Sequence, residues 1–184
     1  MGFADRPLGE LLDELARRTP VPAGGSAAAW TCALAAGLAE MAAAYGELDA
    51  VGTEARELRT RALELAERDG EAFAPVLEAL RLPRSDPDRS SRLTAALSDA
   101  AEPPLQIALA AARIAELAAM AAREGSRTVR GDAIAGATLA AGACEAAAGT
   151  VEENVGGREP PDPRVAQARD AVHRAQAAAH TQEV

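Results

Sequence analysis

An all-α fold is the class this sequence predicts: a single-domain, antiparallel up-and-down bundle of about six helices over residues 1–184. Three observations predict it. Apolar residues recur at intervals of three and four along most of the chain, the spacing that gathers them on one face of a helix. The hydrophobic fraction is 48% and mostly alanine while aromatic residues make up 2%, so helices must approach closely to fill the core. Prolines and glycines cluster between the periodic segments and separate one helix from the next.

The first helix carries Leu8, Leu11, Leu12 and Leu15 on one stripe, with Asp5 as its cap and Pro7 in its first turn, and ends near Arg18. Thr19-Pro20-Val21-Pro22-Ala23-Gly24-Gly25-Ser26 follows. Its prolines stiffen the approach, its glycines free the backbone, and Ser26 is placed to cap a helix whose first turn is Ala27, Ala28 and Ala29. Such a helix start, bare of bulky side chains, offers N–H groups and a positive dipole end to an anion or carbonyl; it is equally the sequence of an ordinary capped turn. The helix runs to Tyr45, with Ala29, Ala33 and Gly37 as a small-residue groove and Trp30 and Leu34 beside it. A polar joint, 46–52, leads to Thr53 as the cap of a third helix reaching Leu80.

That third helix holds an anomaly. Its apolar seam runs Leu58, Ala62, Leu65, then Ala72 or Phe73, Val76 and Leu80, and stepping on from Leu65 lands on Asp69. A carboxylate therefore stands where the pattern wants a core residue, which is costly unless it is paired or hydrogen-bonded. Either an arginine of another helix satisfies it, or it is a carboxylate of perturbed pKa in a cleft. Gly70 and Pro75 weaken the helix beside it.

Residues 82–89 read as a loop, and a fourth helix starts near Asp88 and is bent or interrupted at Pro103-Pro104. Leu105, Ile107, Leu109, Ile114, Leu117 and Met120 then carry the core to about Arg123, and Gly125 is the stop. The joint from Ser126 to Asp132 contains Arg127 and Arg130, a cationic pair on an acidic background. A fifth helix, Ala133 to Val155, buries Ile134, Ala137, Ala141, Cys144, Ala148, Val151 and Val155, and sets Thr150 and Asn154 one turn apart. Alone, that pair reads as a back-bonding threonine and a C-terminal asparagine cap; together they can face one ligand. Pro160-Pro161-Asp162-Pro163 introduces the closing helix, with Val165, Ala168, Val172, Ala175 and Ala179 inward.

Composition excludes several functions. A net charge of -9 argues against a nucleic-acid or anionic-membrane partner, and the absence of lysine excludes Schiff-base chemistry and a P-loop. Cys32 and Cys144 fit no CxxC pattern and read as buried thiols of a reducing cytoplasm. His173 and His180 lack the spacing of a helical metal pair, and no metal site is expected. No signal peptide is expected, and the apolar stretch 27–45 contains Glu40 and owes its apolarity to alanine, so no membrane span is expected either.

The loop Pro22-Ala23-Gly24-Gly25-Ser26-Ala27-Ala28-Ala29, the segment Asp69-Gly70-Glu71-Ala72-Phe73 with Leu77 through Pro83 after it, and Pro104-Leu105 resemble, in order and spacing, the cyclodeaminase/cyclohydrolase family of folate enzymes. The resemblance covers nearly the whole chain. It implies a helical homodimer in the cytoplasm that binds a tetrahydrofolate derivative as substrate and needs no metal or other cofactor. The family's Pro-Gly-Gly-Gly-Ser loop corresponds to Pro22 through Ser26, with Ala23 for the first glycine, and its Asp before Ala-Phe corresponds to Asp69. Its Gly-Asn and Ser-Asp pairs correspond to Gly125-Ser126 and Gly131-Asp132, and its Asn-Val-x-x-Asn to Thr150 through Asn154, so two asparagines and one serine are replaced. The resemblance assigns catalysis to Asp69 and Asp132, and substrate contacts to Gly24, Gly25, Ser26, Ser126, Thr150 and Asn154; Arg127 and Arg130 are either cations for the glutamate carboxylates of a folate or solvated loop charges. The implied reaction is hydrolysis of 5,10-methenyltetrahydrofolate to 10-formyltetrahydrofolate, or the related formiminotetrahydrofolate cyclodeaminase reaction. The absence of a fused formiminotransferase domain leans towards the hydrolase. The competing class is an inactive folate-binding or dimerising helical protein, which the replaced asparagines and serine favour.

Overall fold

The computed structural model describes residues 2, 3 and 6–180, and among them only helices and their joints occur. In chain order they are α1 (Leu8–Leu15), α2 (Gly24–Tyr45), α3 (Asp49–Arg81), α4 (Arg89–Asp99), α5 (Glu102–Glu124), a 3-10 turn (Arg127–Val129), α6 (Arg130–Val155) and α7 (Pro163–His180). The all-helical expectation holds. The count rises to seven because Pro103 and Pro104 occupy the first turn of α5, where a missing N–H costs nothing, and so begin a helix after α4 has ended.

α5 is the hub, packed against α2, α3, α6 and α7, while α2 lies between α3 and α6. Its Ile107, Ile114 and Leu117 are fully buried among alanines of α2, α3, α6 and α7. With so few large side chains, backbones come close. A Cβ on Gly136 of α6 would stand 3.2 Å from the Ala35 carbonyl oxygen of α2, and one on Gly46 would stand 2.6 Å from Gly125 Cα. The second contact locks the C-terminal end of α2 to that of α5.

α1 departs most from its pattern. Only Leu11 is buried, whereas Leu8 and Leu12 are exposed and the helix stops at Leu15. One short helix on the rim contacts the bundle along a single line, which is too narrow for a four-residue stripe. The expected cap Asp5 lies outside the described residues. The N-terminal segment is held instead by the Phe3 N–H, which donates to Glu67 Oε1 at 2.6 Å, and by an edge-to-face contact of Phe3 with Trp30, centroids 5.4 Å apart. Leu34 and Leu80, expected inside, are exposed as well, and α3 begins at Asp49 rather than after Thr53.

α3 is longer than its neighbours. Its level with the start of α2 is Ala66 to Asp69, set by the Ser26 hydroxyl that donates to the Ala66 carbonyl at 3.2 Å. The remaining 12 residues to Arg81 project about 18 Å past the bundle. There α4 folds back on them over a small cluster of Val76, Ala96 and Ala100 with Phe73, Leu93 and Leu97. Pro75 stays inside a continuous helix. Arg164 at the start of α7 ties this hairpin down, donating to Asp162, the Ser98 carbonyl and Ser98 Oγ.

By length and composition three stretches, 24–45, 89–124 and 127–155, are apolar enough to cross a membrane; half or more of each apolar window is buried inside the bundle.

Candidate functional site

Asp69 lies where α3 leaves the bundle, and its carboxylate faces the first turn of α2. Ser26 is fully buried there, and its hydroxyl donates to Asp69 Oδ2 at 3.3 Å as well as to the Ala66 carbonyl. This corrects the capping expectation. α2 starts three residues earlier, with Ala23 at the N-cap and no side-chain cap, so Ser26 sits inside the first turn and its side chain turns towards α3. The anion at the helix start is the chain's own Asp69, which satisfies the dipole and the Ser26 N–H.

Gly25 makes that approach possible. A Cβ there would stand 2.5 Å from both Cγ and Oδ2 of Asp69, so any other residue would displace the carboxylate. On the other side, Gly70 accommodates Val21 of the approach loop, whose Cγ1 lies 2.8 Å from where a Cβ would be. Ala23, in place of the family's glycine, has φ -140° and ψ -157°, extended backbone that alanine adopts freely.

Pro20, Val21, Ala23, Gly24 and Gly25 close one side of a cavity of about 160 Å³; Asp69, Phe73, Ala100, Thr150 and Asn154 close the others. Burial pushes the Asp69 carboxyl above its ordinary value, and the Ser26 hydrogen bonds hold it down only in part. No arginine is bound to it, so the salt-bridge explanation of this misplaced carboxylate fails among the described residues. Thr150 Oγ1 donates to the Ala146 carbonyl at 3.2 Å, the back-bonding arrangement, yet the residue still lines the cavity. Asn154 is not a helix cap: its Nδ2 donates to the Ala100 carbonyl at 3.0 Å and fixes the α4–α5 joint against α6.

The structure thus brings together Gly24, Gly25, Ser26, Asp69, Thr150 and Asn154. It leaves Ser126, Arg127, Arg130 and Asp132 at the other end of the bundle. Asp132 and Thr150 are separated by 18 residues of one straight helix, about 27 Å. There Ser126 Oγ accepts from the Thr128 N–H at 3.3 Å and shapes the 3-10 turn, while Arg127, Arg130 and Asp132 are exposed. Phe73 and Ala100 also wall the cavity; Phe73 lies on the apolar seam of α3, and nothing in the local sequence marks Ala100. Sequence reasoning missed Gly25 as the position that admits the carboxylate.

Other features compete poorly. A more open groove of about 470 Å³ along α2 and α3 contains Glu40 and Arg56, which are spent on each other, and the hydrogen bond from Arg56 lowers the Glu40 pKa. Burial raises both cysteine thiols to about 12, so neither is a nucleophile near neutrality. The two histidines are exposed. Among the described residues no group of three or more His, Cys, Asp or Glu is placed to hold a metal.

Residues 7–173 match the sequence pattern of the Formiminotransferase-cyclodeaminase family. The chain is 33% identical over 106 residues to the formimidoyltransferase-cyclodeaminase of Mus musculus, covering 52% of this chain and 20% of that protein. To the Gallus gallus protein of the same name it is 28% identical over 153 residues, covering 75% and 28%. The chain therefore spans between a fifth and just over a quarter of the length of these curated relatives. In fold it is similar to the crystal structure of formiminotetrahydrofolate cyclodeaminase from Thermotoga maritima, with a TM-score of 0.79, 23% identity, and coverage of 97% of this chain and 98% of that one. The matched pattern reaches from the start of α1 into α7 and contains every residue of the Asp69 cavity, and by that match the chain belongs to the formiminotransferase-cyclodeaminase family.

Proposed function

We propose that this chain is a tetrahydrofolate-dependent enzyme that acts on the one-carbon unit carried between the N5 and N10 nitrogens of the cofactor-like substrate. It hydrolyses 5,10-methenyltetrahydrofolate to 10-formyltetrahydrofolate, or carries out the related formiminotetrahydrofolate cyclodeaminase reaction. The observation that carries the reading is Asp69: a carboxyl of raised pKa, paired with no cation among the described residues, held by Ser26 at the edge of a cavity. Such a group exchanges protons nearer neutrality than an ordinary aspartate.

In the hydrolysis, the Asp69 carboxylate takes a proton from water as the water oxygen bonds to the cationic methenyl carbon. It returns that proton to N5 as the bond from carbon to N5 breaks, and the hydroxyl left on the carbon loses its own proton to solvent as the formyl carbonyl forms. In the cyclodeamination, N10 attacks the formimino carbon and its proton passes to the formimino nitrogen; neutral Asp69 gives that nitrogen a second proton, and it leaves as ammonia as the methenyl cation and the Asp69 carboxylate form. Both routes need the same group in opposite starting states, and a raised pKa serves each. The amides at Gly24 and Gly25 offer donors to a polar group of the pterin. The working unit is a homodimer, in a reducing compartment such as the cytoplasm, where Cys32 and Cys144 stay unpaired as they are here.

The test is turnover of both substrates by one purified sample: loss of the methenyl absorbance for the hydrolase, release of ammonia for the cyclodeaminase. Activity on at least one, lost in Asp69→Asn, is expected. A reduced folate that raises the melting temperature without turnover would make the chain a binder instead.

A further inference from the structure

The Ala100 wall of the Asp69 cavity is held differently from the helices around it. Gly24 and Gly25 begin α2, and Thr150 and Asn154 lie in the last turns of α6, two helices whose inner faces are buried in the bundle core. Ala100 instead ends the hairpin of α3 and α4 that stands past the bundle. That hairpin is closed on itself. Its apolar cluster contains only residues of α3 and α4 together with Ala100, and Arg89 Nε donates to the Leu82 carbonyl at 3.1 Å across its tip. At its base Pro75 leaves the Glu71 carbonyl without a helical N–H partner, so α3 bends there more easily than elsewhere. From Ala101 on the chain is fixed again, buried against α6 and α7.

What ties α4 to α6 and α7 is therefore polar, and it comes from the joint between those two helices. Asn154 Nδ2 donates to the Ala100 carbonyl and Arg158 Nη2 to the Thr94 carbonyl, both at 3.0 Å. Arg164 Nη1 donates to the Ser98 carbonyl at 2.6 Å and its Nη2 to Ser98 Oγ at 2.9 Å. The bond from Arg158 is solvent-exposed, whereas Arg164 is locked from behind by Asp162, which accepts from Nε at 2.9 Å and Nη2 at 2.7 Å. The two side chains of that pair are only 20% and 11% exposed. A planar guanidinium can bond a carboxylate and Ser98 at once, and its charged bonds are about twice as strong as the neutral one from Asn154.

We infer that Arg164 is a positioning residue for the Asp69 site: locked by Asp162, it latches the α3–α4 hairpin through Ser98 and so keeps Ala100 in the cavity wall. Ser98 precedes Ala100 by two residues, and Asn154 bonds the Ala100 carbonyl while lining the same cavity, so the latch keeps two wall residues in register. With the latch broken the hairpin swings about Pro75 and draws Ala100 out of the wall. Apparent affinity then falls with the fraction of chains whose wall is in place. Asp69 lies on the bundle side of that hinge, held by Ser26, and its chemistry is unchanged.

The effect on turnover rests on the folate reading; the movement of the hairpin does not. On 5,10-methenyltetrahydrofolate or formiminotetrahydrofolate, whichever the wild type turns over, Arg164→Ala is expected to raise KM about tenfold and leave kcat within about threefold, because a wall serves ground state and transition state alike. Arg158→Ala removes a neighbouring cation and only an exposed bond, and KM should stay within about twofold. A merely destabilised chain shows the opposite split, a lower kcat from the smaller folded fraction at unchanged KM. Labelling by a maleimide reads the hairpin without substrate, since the native thiols are buried. Adding Arg164→Ala is expected to speed labelling of Ala100→Cys about tenfold and to leave that of Val76→Cys, inside the hairpin's own cluster, unchanged. An unmoved rate at Ala100→Cys overturns the latch, as does equal acceleration at both positions, which means that α4 unfolds and does not swing. A KM unmoved by Arg164→Ala, or moved as far by Arg158→Ala, overturns the positioning role. A wild type that turns over neither substrate overturns the folate reading, while labelling still decides whether Arg164 holds the wall.

Discussion

Replacing Gly25 with alanine separates the placement of Asp69 from its mere presence. The new methyl would stand 2.5 Å from Asp69 Cγ and Oδ2 and nearer still to Oδ1. A nonbonded carbon needs about 3.5 Å, so the carboxylate must retreat by about 1 Å. The hydrogen bond from Ser26 Oγ is 3.3 Å long and near its limit, and that retreat breaks it. Losing a hydrogen bond to a charged group costs about 1.5–3 kcal/mol, and alanine returns up to about 1 kcal/mol of helix propensity, for a net loss of roughly 0.5–2 kcal/mol. Activity falls much further, because about 1 Å of misplacement at the reacting centre costs on the order of 100-fold. The assay is kcat on 5,10-methenyltetrahydrofolate, or on formiminotetrahydrofolate if that is the substrate, beside a urea melt of the same sample. A kcat within about threefold of wild type, with the variant folded, would refute the claim that Gly25 positions the carboxylate.

The remaining predictions concern pH and packing. Because the folded Asp69 has a pKa raised above its ordinary 3.8, the native state binds its proton more tightly than the unfolded chain, and stability falls as pH rises from 3.8 through the raised value. Asp69→Asn removes that slope, so the variant should melt higher than wild type near pH 7 and no higher in strong acid; a melting temperature that tracks wild type at every pH contradicts the buried charge. The Ser26 hydrogen bonds lower the Asp69 pKa, so Ser26→Ala should move the carboxylate limb of the pH–rate profile upward, and an unmoved profile would detach Ser26 from the acid. Gly46→Ala places a methyl 2.6 Å from Gly125 Cα, where backbone on both sides resists, and should cost about 2 kcal/mol or more in a urea melt. A loss under about 0.5 kcal/mol would show that the α2 and α5 ends are free to part.

The sequence by itself determined the class and much of the site. Spacings of three and four, with alanine in place of large side chains, leave a close-packed helical bundle as the way to bury this chain. The Asp69 anomaly was legible because helical periodicity says which residues must face inward, and a carboxylate on that stripe needs a reason. Gly24, Gly25 and Ser26 were legible as a helix start, and α6 brought Thr150 and Asn154 to the same cavity. Periodicity states only that a residue faces inward; it does not state what it meets. Hence Ser26 was misread as a cap: local sequence cannot show that α3 passes within reach of its hydroxyl. Gly25 likewise looked like backbone freedom, when its hydrogen stands where the Asp69 carboxylate requires the space. Leu8, Leu12 and Leu34 share the periodicity of buried leucines but are exposed, since a helix has more apolar positions than one chain covers. The separation of Asp132, Arg127 and Arg130 from Asp69 was beyond any local pattern. It follows from α6 running about 39 Å from one end of the bundle to the other, a consequence of the helix rise that only the tertiary arrangement turns into distance from the site.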